Sequence, residues 1–296
     1  MSPHGLFVGL STLDFVWRVQ GYPRPNSKNV VEQREVFAGG PAANAAVVFA
    51  ALGGRARLYT AIGQHPLSRM VRADLDALGV EVIDAAPDRT DFPAMASILV
   101  SDPGGDRTVV STAAMGMPDI GFDASLGGTD VVLVDAHLFR ASLEAAQQAR
   151  TQSIATVYDA GTWKDGLDEL LPFVDYAVCS EQFFPTGTAD HSAVLRFLAE
   201  KGVRRRAITR GRDPVLWESG KLRGEVAVEP IEAVDTLGAG DFFHGAFAFA
   251  LARGDDFPAA LDFGAKIATR SCLEFGTRSW LQTLSSDPHP SAPLRR

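Results

Sequence analysis

Residues Asp235 to Ala250 read DTLGAGDFFHGAFAFA. A turn of small residues, Gly238-Ala239-Gly240, runs straight into Asp241 and then into an apolar helical pattern. The first amides of a helix have no intrahelical partner and lie at the positive end of its dipole, so such a turn is an anion pocket. A carboxylate in the first helical turn adds a proton acceptor beside that pocket. The pairing suits transfer of a phosphoryl group to a hydroxyl: the amides carry charge on the moving group, and Asp241 takes the proton of the attacking oxygen. Asp at a helix start more commonly serves as a cap, and that use stands beside the catalytic one. The Walker sequence with its Lys-Ser/Thr ending is absent, which excludes the P-loop solution to the same problem.

Further residues could serve an acceptor. Gly39-Gly40-Pro41 lets a ligand approach the backbone, and Asn44 offers an acceptor and two donors to sugar hydroxyls. A helix entry turn with Pro41 in its first turn and Asn44 facing solvent is the competing reading. Asp14 follows the first apolar run, and in open α/β sheets ligands collect beyond the carboxyl ends of strands. Asp135 and His137 end the run Val131–Val134, and Asp159 and Gly161 end Ile154–Tyr158, which are suitable places for the same reason. Ordinary strand-end polarity accounts for them almost as well. Arg140 is a further candidate if the substrate carries an anion.

The elements that would position these groups can be read from periodicity. Leu6 to Leu10 reads as a buried strand, Ala42 to Leu52 as an alanine-rich helix closed by Gly53-Gly54, Leu58 to Ile62 as a strand and Pro66 to Leu78 as a helix. Asp14–Val19 and Asn29–Phe37 alternate as strands with one wet face. Met95–Val100 and Thr108–Ser111 flank Asp102-Pro103-Gly104-Gly105-Asp106, a hairpin signal. From Val131 apolar strands alternate with helices: Val131–Val134, Leu143–Arg150, Ile154–Tyr158, Tyr176–Cys179, Ser192–Glu200 and Arg206–Thr209. That rhythm argues for an α/β fold with a mostly parallel central sheet flanked by helices. A second hairpin, Val215–Glu218 with Lys221–Val226, precedes the anion turn, and Pro258 to Phe275 reads as a long helix. Ser285 to Arg296, with three prolines, reads as a disordered tail.

At 296 residues with 46% hydrophobic and 22% charged residues, the chain is sized and composed for one large globular domain with an appendage. A formal charge of −8 argues against a nucleic-acid or anionic-membrane surface. Cys179 and Cys272 lie far apart, with no metal-ligand spacing, and read as buried free thiols. The first residues lack a signal-peptide pattern and no stretch approaches a membrane span, so a cytoplasmic protein is expected.

Two segments together carry a family resemblance. DTLGAGD resembles the C-terminal signature of the ribokinase-like (PfkB) family of sugar and nucleoside kinases, and AGGPAANAAVVFAALGG, Ala38 to Gly54, resembles its N-terminal signature. The order and separation are those of the family, and the resemblance runs from about Leu6 to Trp280. It implies an ATP-dependent kinase acting on a monosaccharide or polyol hydroxyl, with Asp241 as base and Gly238, Ala239 and Gly240 as anion hole. Asp14, Gly39, Gly40, Asn44, Asp135 and His137 would then bind the acceptor. A kinase domain over 1–284 with a small β-sheet lid, built from insertions at about 14–37 and 94–112, is implied as well.

Thr209-Arg210-Gly211-Arg212-Asp213-Pro214 resembles the family's TxGxxG nucleotide turn, with Pro214 in place of the last glycine. ATP would thus lie against Thr209 and Gly211, with adenine toward Ala268 and Cys272. Mg²⁺ is expected with the phosphates, but the family's NxxE motif is replaced by Ser180-Glu181-Gln182-Phe183, which puts metal handling through that loop in doubt. The variant resembles the ketohexokinase and sulfofructose-kinase side of the family more than ribokinase. A monovalent cation near Asp235 and Thr236 is known in relatives, and two lids packing together would give a homodimer. A nucleoside kinase and a non-catalytic sugar-binding protein on the same scaffold are the rival readings.

Overall fold

The computed structural model describes residues 2–286 apart from Glu32, Pro103, Gly104 and Asp165, with backbone alone at Ser285 and Ser286. The hairpin turn expected at Pro103-Gly104 and the tail from residue 287 onward therefore lie outside the described residues.

Short, largely apolar runs become the strands of the central sheet, the inner ones buried on both faces. β1 (His4–Val8), β4 (Arg55–Thr60), β5 (Val80–Asp84), β8 (Val131–Val134), β9 (Ala155–Ala160), β10 (Tyr176–Ser180) and β11 (Arg205–Arg210) pair in parallel. The antiparallel strands β12 (Asp213–Ser219) and β13 (Leu222–Val226) extend one edge, giving the order β13-β12-β11-β10-β9-β8-β1-β4-β5. Alternate side chains of each strand enter opposite cores. Phe7, Leu133, Val157 and Val178 meet helices α1 (Pro41–Ala51), α5 (Ala239–Arg253) and α6 (Phe257–Ser271). Leu6, Val8, Val132, Val134 and Cys179 meet α3 (Phe139–Thr151) and α4 (His191–Glu200) on the other face. The helix α2 (Ser68–Ala77) carries Val71 and Leu75 into the first of these cores.

A separate four-stranded sheet has the order β3-β2-β6-β7. It joins β2 (Thr12–Val19) and β3 (Gln33–Gly39) to β6 (Met95–Ser101) and β7 (Arg107–Ser111), with β2 and β6 parallel. The two insertions thus pair with each other, as expected of a lid. Its inner face, Val16, Phe37, Ala96, Ile98 and Val100, packs on Leu237 and Phe275. The lid is therefore seated on the segment that leads into Gly238-Ala239-Gly240.

Several boundaries differ from the sequence reading; β3, for instance, spans Gln33–Gly39 and β4 spans Arg55–Thr60, and two shifts have a visible cause. The first strand ends at Val8, because Gly9 and Leu10 turn over the Asp135 carboxylate, which accepts the Leu10 amide at 2.8 Å. The long late helix stops at Ser271, and the Cys272 carbonyl is used by Val234 N at 2.8 Å instead. The edge strand β5 and the helix α7 (Ser279–Ser286) were not anticipated, and α7 takes up the first two residues of the expected tail. Both cysteines are free and buried. Among the described residues no helix is long and apolar enough to cross a membrane.

Candidate active site

The chain leaves β1 in one direction toward β4 and β5 and returns through β8 to run the other way, so the sheet has its topological switch point at β1 and β8. Ligands of open α/β sheets bind beyond the strand ends at such a point. Asp135, immediately after β8, braces this place. Its Oδ2 accepts the amides of Leu10 at 2.8 Å and Ala42 at 3.2 Å, and its Oδ1 accepts that of His137 at 2.8 Å. Three backbone donors tie β1, α1 and its own turn together. Between the two predicted residues Ala136 takes φ of +57°, a left-handed conformation that costs a non-glycine residue about 1 kcal/mol or more. Pro41, Asp135, His137, Tyr158 and Asp159 face a cavity of about 150 Å³ here, with Lys164 at its mouth.

Asn44 and Asp241, separated by 197 residues in sequence, meet across α1 and α5: Asn44 Nδ2 donates to Asp241 Oδ2 at 2.8 Å. The two helices approach closely because Gly245 faces α1, where a Cβ would strike the Ala45 carbonyl and the Val48 side chain. Asn44's amide has its orientation fixed from behind. Its Oδ1 accepts from Arg278 Nη1 at 3.3 Å, and a guanidinium can only donate, so the NH₂ must face Asp241. Arg278 is itself held by Asp74 at 3.1 Å, by the Ala38 carbonyl and by the Phe37 ring 5.0 Å from its Cζ. Nothing in the sequence pattern marks Arg278, an arginine two residues past a glycine.

Gly238 starts α5 as its cap in a left-handed conformation, φ 73°. Phe242 N closes the first bond of the helix onto Gly238 O at 2.9 Å, so the Gly240 and Asp241 amides stand at the open first turn. Burial pushes the Asp241 carboxyl above its ordinary range, while the Asn44 bond and the charges of His244 and Arg107 oppose the rise. The carboxyl is thereby made a stronger proton acceptor than an exposed aspartate.

Asp14 is buried on β2, and Thr12 Oγ1 donates to it at 2.5 Å. Burial, with Asp241 nearby, raises its pKa to about 6 against the pull of Thr12 and Arg278. Gly39 must be glycine in this arrangement, because a Cβ there would land on the Asp14 carboxylate. Gly40, the next residue, caps α1. Asp14, Gly39, Gly40, Asn44 and Asp241 are thus gathered under the inner edge of the lid.

Lid and anion turn are joined directly. Arg107 Nη1 donates to Thr236 Oγ1 at 2.9 Å, and Thr236 Oγ1 donates to the Gly105 carbonyl at 3.2 Å. Asp235 is tied to the backbone: its oxygens accept the amides of Leu237 at 2.8 Å and Gly276 at 3.0 Å, and Arg107 and Arg18 supply positive charge nearby. No group of three or more His, Cys, Asp or Glu among the described residues could hold a metal ion. Ser180, at the place of the missing motif, uses its Oγ on the Gly161 carbonyl at 2.6 Å.

The predicted nucleotide residues are less tightly bound together. Thr209 ends β11 with its Oγ1 on the Cys179 carbonyl at 3.3 Å, and Gly211 is exposed in the β11–β12 turn. Arg210 clamps the Pro214 carbonyl with two bonds, of 2.9 and 2.7 Å. Ala268 and Cys272 close α6, which packs beside β12 and β13.

A lid over a switch-point cleft, with a carboxylate at a helix-start anion turn, defines a phosphotransferase class of site. The comparisons specify the class. Residues 4–284 match the family model "pfkB family carbohydrate kinase". The chain is 25% identical to the ribokinase of Bacillus subtilis (strain 168) over 93% of this chain and 95% of that protein. It is 24% identical to the ketohexokinase of Mus musculus, over 90% and 95% respectively. The solved structure of a putative ribokinase from Agrobacterium tumefaciens superposes with a TM-score of 0.84 at 25% identity, over 97% of this chain and all of that one. The chain belongs to the pfkB family of carbohydrate kinases, enzymes that use ATP.

Proposed function

We propose that this kinase transfers the γ-phosphoryl group of ATP to a primary hydroxyl of a monosaccharide or related polyol, with Asp241 as general base. The carrying observation is the Asp241 carboxylate, raised by burial and held by Asn44, at the first turn of α5 beside unpartnered amides. Asp14, Asn44 and the backbone at Gly39-Gly40 position the acceptor. The attacking hydroxyl loses its proton to Asp241 as its oxygen bonds to the γ-phosphorus, and the bond from that phosphorus to the bridging oxygen breaks, its electron pair leaving on ADP. The amides of Gly238, Ala239 and Gly240, with that of Asp241 beside them, face the charge on the moving group, the Ala239 amide giving up its 3.4 Å bond to the Thr236 carbonyl to do so. Asp135, with its oxygens engaged by three amides, shapes the acceptor cavity, and His137 lines it. Thr209, Gly211, Ala268 and Cys272 hold the nucleotide.

Mg²⁺ would enter with the nucleotide and offset the charge of its phosphates, since the protein brings no cluster of metal ligands among the described residues. The lid shuts water out of the reaction, held by Arg107 and Gly105 on Thr236. Its outer row, Val36, Phe15, Ser97 and Val110, leaves Val36 and Val110 exposed and is the surface proposed for a second copy's lid. Light scattering at the monomer mass at micromolar concentration would remove that part.

ADP release over a panel of pentoses, hexoses, their polyols and nucleosides tests the function. Saturable turnover with a sugar or polyol is expected. Turnover confined to nucleosides, or binding of sugars with no ADP release from any acceptor, overturns it.

A further inference from the structure

One buried titratable pair has no task in the mechanism above. His244 lies one turn after Asp241 on α5 and is buried. Its Nδ1 is 2.7 Å from the Gly240 carbonyl and its Nε2 is 3.1 Å from the Val178 carbonyl on β10. Both oxygens only accept, so a neutral imidazole satisfies one and turns a lone pair toward the other. Asp159, on β9, supplies the balancing charge: its Oδ2 is 3.4 Å from Nδ1. That oxygen has no hydrogen-bond partner of its own. A ring protonated at both nitrogens beside an ionised Asp159 satisfies both carbonyls and leaves the pair neutral as a whole. Moving one ring proton to the carboxyl keeps the total charge but forfeits one of the two bonds.

Other titratable groups face the pair. Asp241 comes from the same helix, Asp135 from beyond β8, Tyr158 from β9 and Cys179 from β10. Burial pushes the Tyr158 hydroxyl and the Cys179 thiol up, so both are uncharged at neutral pH. Burial pushes the imidazolium down, while the two carbonyls and Asp241 pull it back up. Burial pushes the Asp159 carboxyl well up, with Asp241 and Asp135 adding to the rise. What favours the charged pair against burial is that only a doubly protonated ring satisfies both carbonyls.

We propose that His244 is a positioning residue for phosphoryl transfer: paired with Asp159 as an imidazolium, it polarises the Gly240–Asp241 peptide and ties the start of α5 to the central sheet. The inference rests on the anion-turn reading above. The Gly240 carbonyl and the Asp241 amide belong to one peptide group. A charged donor on the oxygen therefore makes the N–H on the other side a stronger donor to an incoming anion. No proton leaves the pair during turnover; its contribution is a fixed field and a fixed geometry.

The ring's protonation state decides the matter without any substrate. In long-range ¹H–¹⁵N spectra, the His244 ring, assigned by its disappearance in His244→Asn, should show two protonated nitrogens from pH 6 to pH 8. In Asp159→Asn one nitrogen should lose its proton within that range. A neutral ring in the unmodified protein at pH 6.5 overturns the proposal. Kinetics give the second arm. Removing the Asp159 charge lets the imidazolium deprotonate at lower pH, so kcat of Asp159→Asn should fall at least about fivefold between pH 6 and pH 9 relative to the unmodified enzyme, with KM for ATP unchanged. Parallel pH profiles would reduce the pair to packing and sink the charge role. His244→Leu should lose about 30-fold in kcat, and His244→Asn, which keeps an uncharged donor toward Gly240, should fall between. Absence of ADP release from every acceptor is a failure of the kinase reading; a neutral ring is a failure of this one.

Discussion

The end of the cleft proposed for the acceptor and the end proposed for the nucleotide are built on different principles. At the acceptor end, Arg278, Asn44 and Asp241 form one bonded chain, with Asp14 fitted over Gly39 and Asp135 spending its carboxylate on three amides. At the nucleotide end, Thr209 makes one long bond and Gly211 lies exposed in a turn. A neutral polyol brings no charge, so its recognition depends on polar groups fixed before it arrives, and fixing them means burying them. A nucleotide brings its own phosphates and metal, and open backbone at a strand end suffices for it. Substitutions at the acceptor end should therefore be costly and those at the nucleotide end mild.

The largest effect short of the base itself is expected at Asn44. Asn44→Leu removes the donor to Asp241 and one of the acceptors of Arg278, and kcat/KM for the acceptor should fall about 10²- to 10³-fold with ATP affinity little changed. Arg278→Met should cost about 3 kcal/mol of stability in urea unfolding, because it leaves Asp74 with only the Ala38 amide and the Ala38 carbonyl without its guanidinium donor. It should also lower kcat/KM by about tenfold through loss of Asn44's fixed orientation. A loss at Arg278 that matched Asn44→Leu would mean that the arginine itself touches the acceptor.

Asp14 sharpens the contrast through stability. Its folded pKa of about 6 exceeds the ordinary 3.8, so the folded state binds the proton more tightly than the unfolded chain. Stability from this group is fully present below pH 3.8 and is lost as pH rises through about 6. Asp14→Asn should therefore raise stability at pH 7.5 by up to about 3 kcal/mol while weakening acceptor binding at least about tenfold. Equal unfolding midpoints for the two proteins at pH 7.5 would contradict the burial of an ionised carboxylate. The smallest effect is expected at Thr209: Thr209→Val should change KM for ATP by no more than about threefold.

Legibility in the sequence follows the same division. The anion turn, Asn44's helix and the lid strands announce themselves through glycine punctuation and short-range periodicity, and the structure places them as read. β5 was missed because Val80–Asp84 is a short edge strand with an exposed glutamate and only one fully buried side chain. The α7 helix follows a glycine and precedes a proline-rich end, which hid it. The supports of the site were illegible for a different reason. Arg278 lies 234 residues from Asn44, and His244 sits inside an apolar helical pattern with its partner Val178 66 residues upstream. Such pairings exist only once the sheet has brought β9, β10, α1 and α5 together. Glycine turns are local statements; a second layer of bonds behind a reactive side chain is not.

Asp241→Asn is the most direct measurement, because it keeps size and the bond from Asn44 while removing the proton acceptor. Measured by ADP release with the best acceptor, kcat should fall at least about 10³-fold with the dissociation constant for ATP within about threefold of the unmodified protein. Turnover within tenfold of the unmodified enzyme would contradict the account, because the proton of the acceptor hydroxyl would then be leaving by another route.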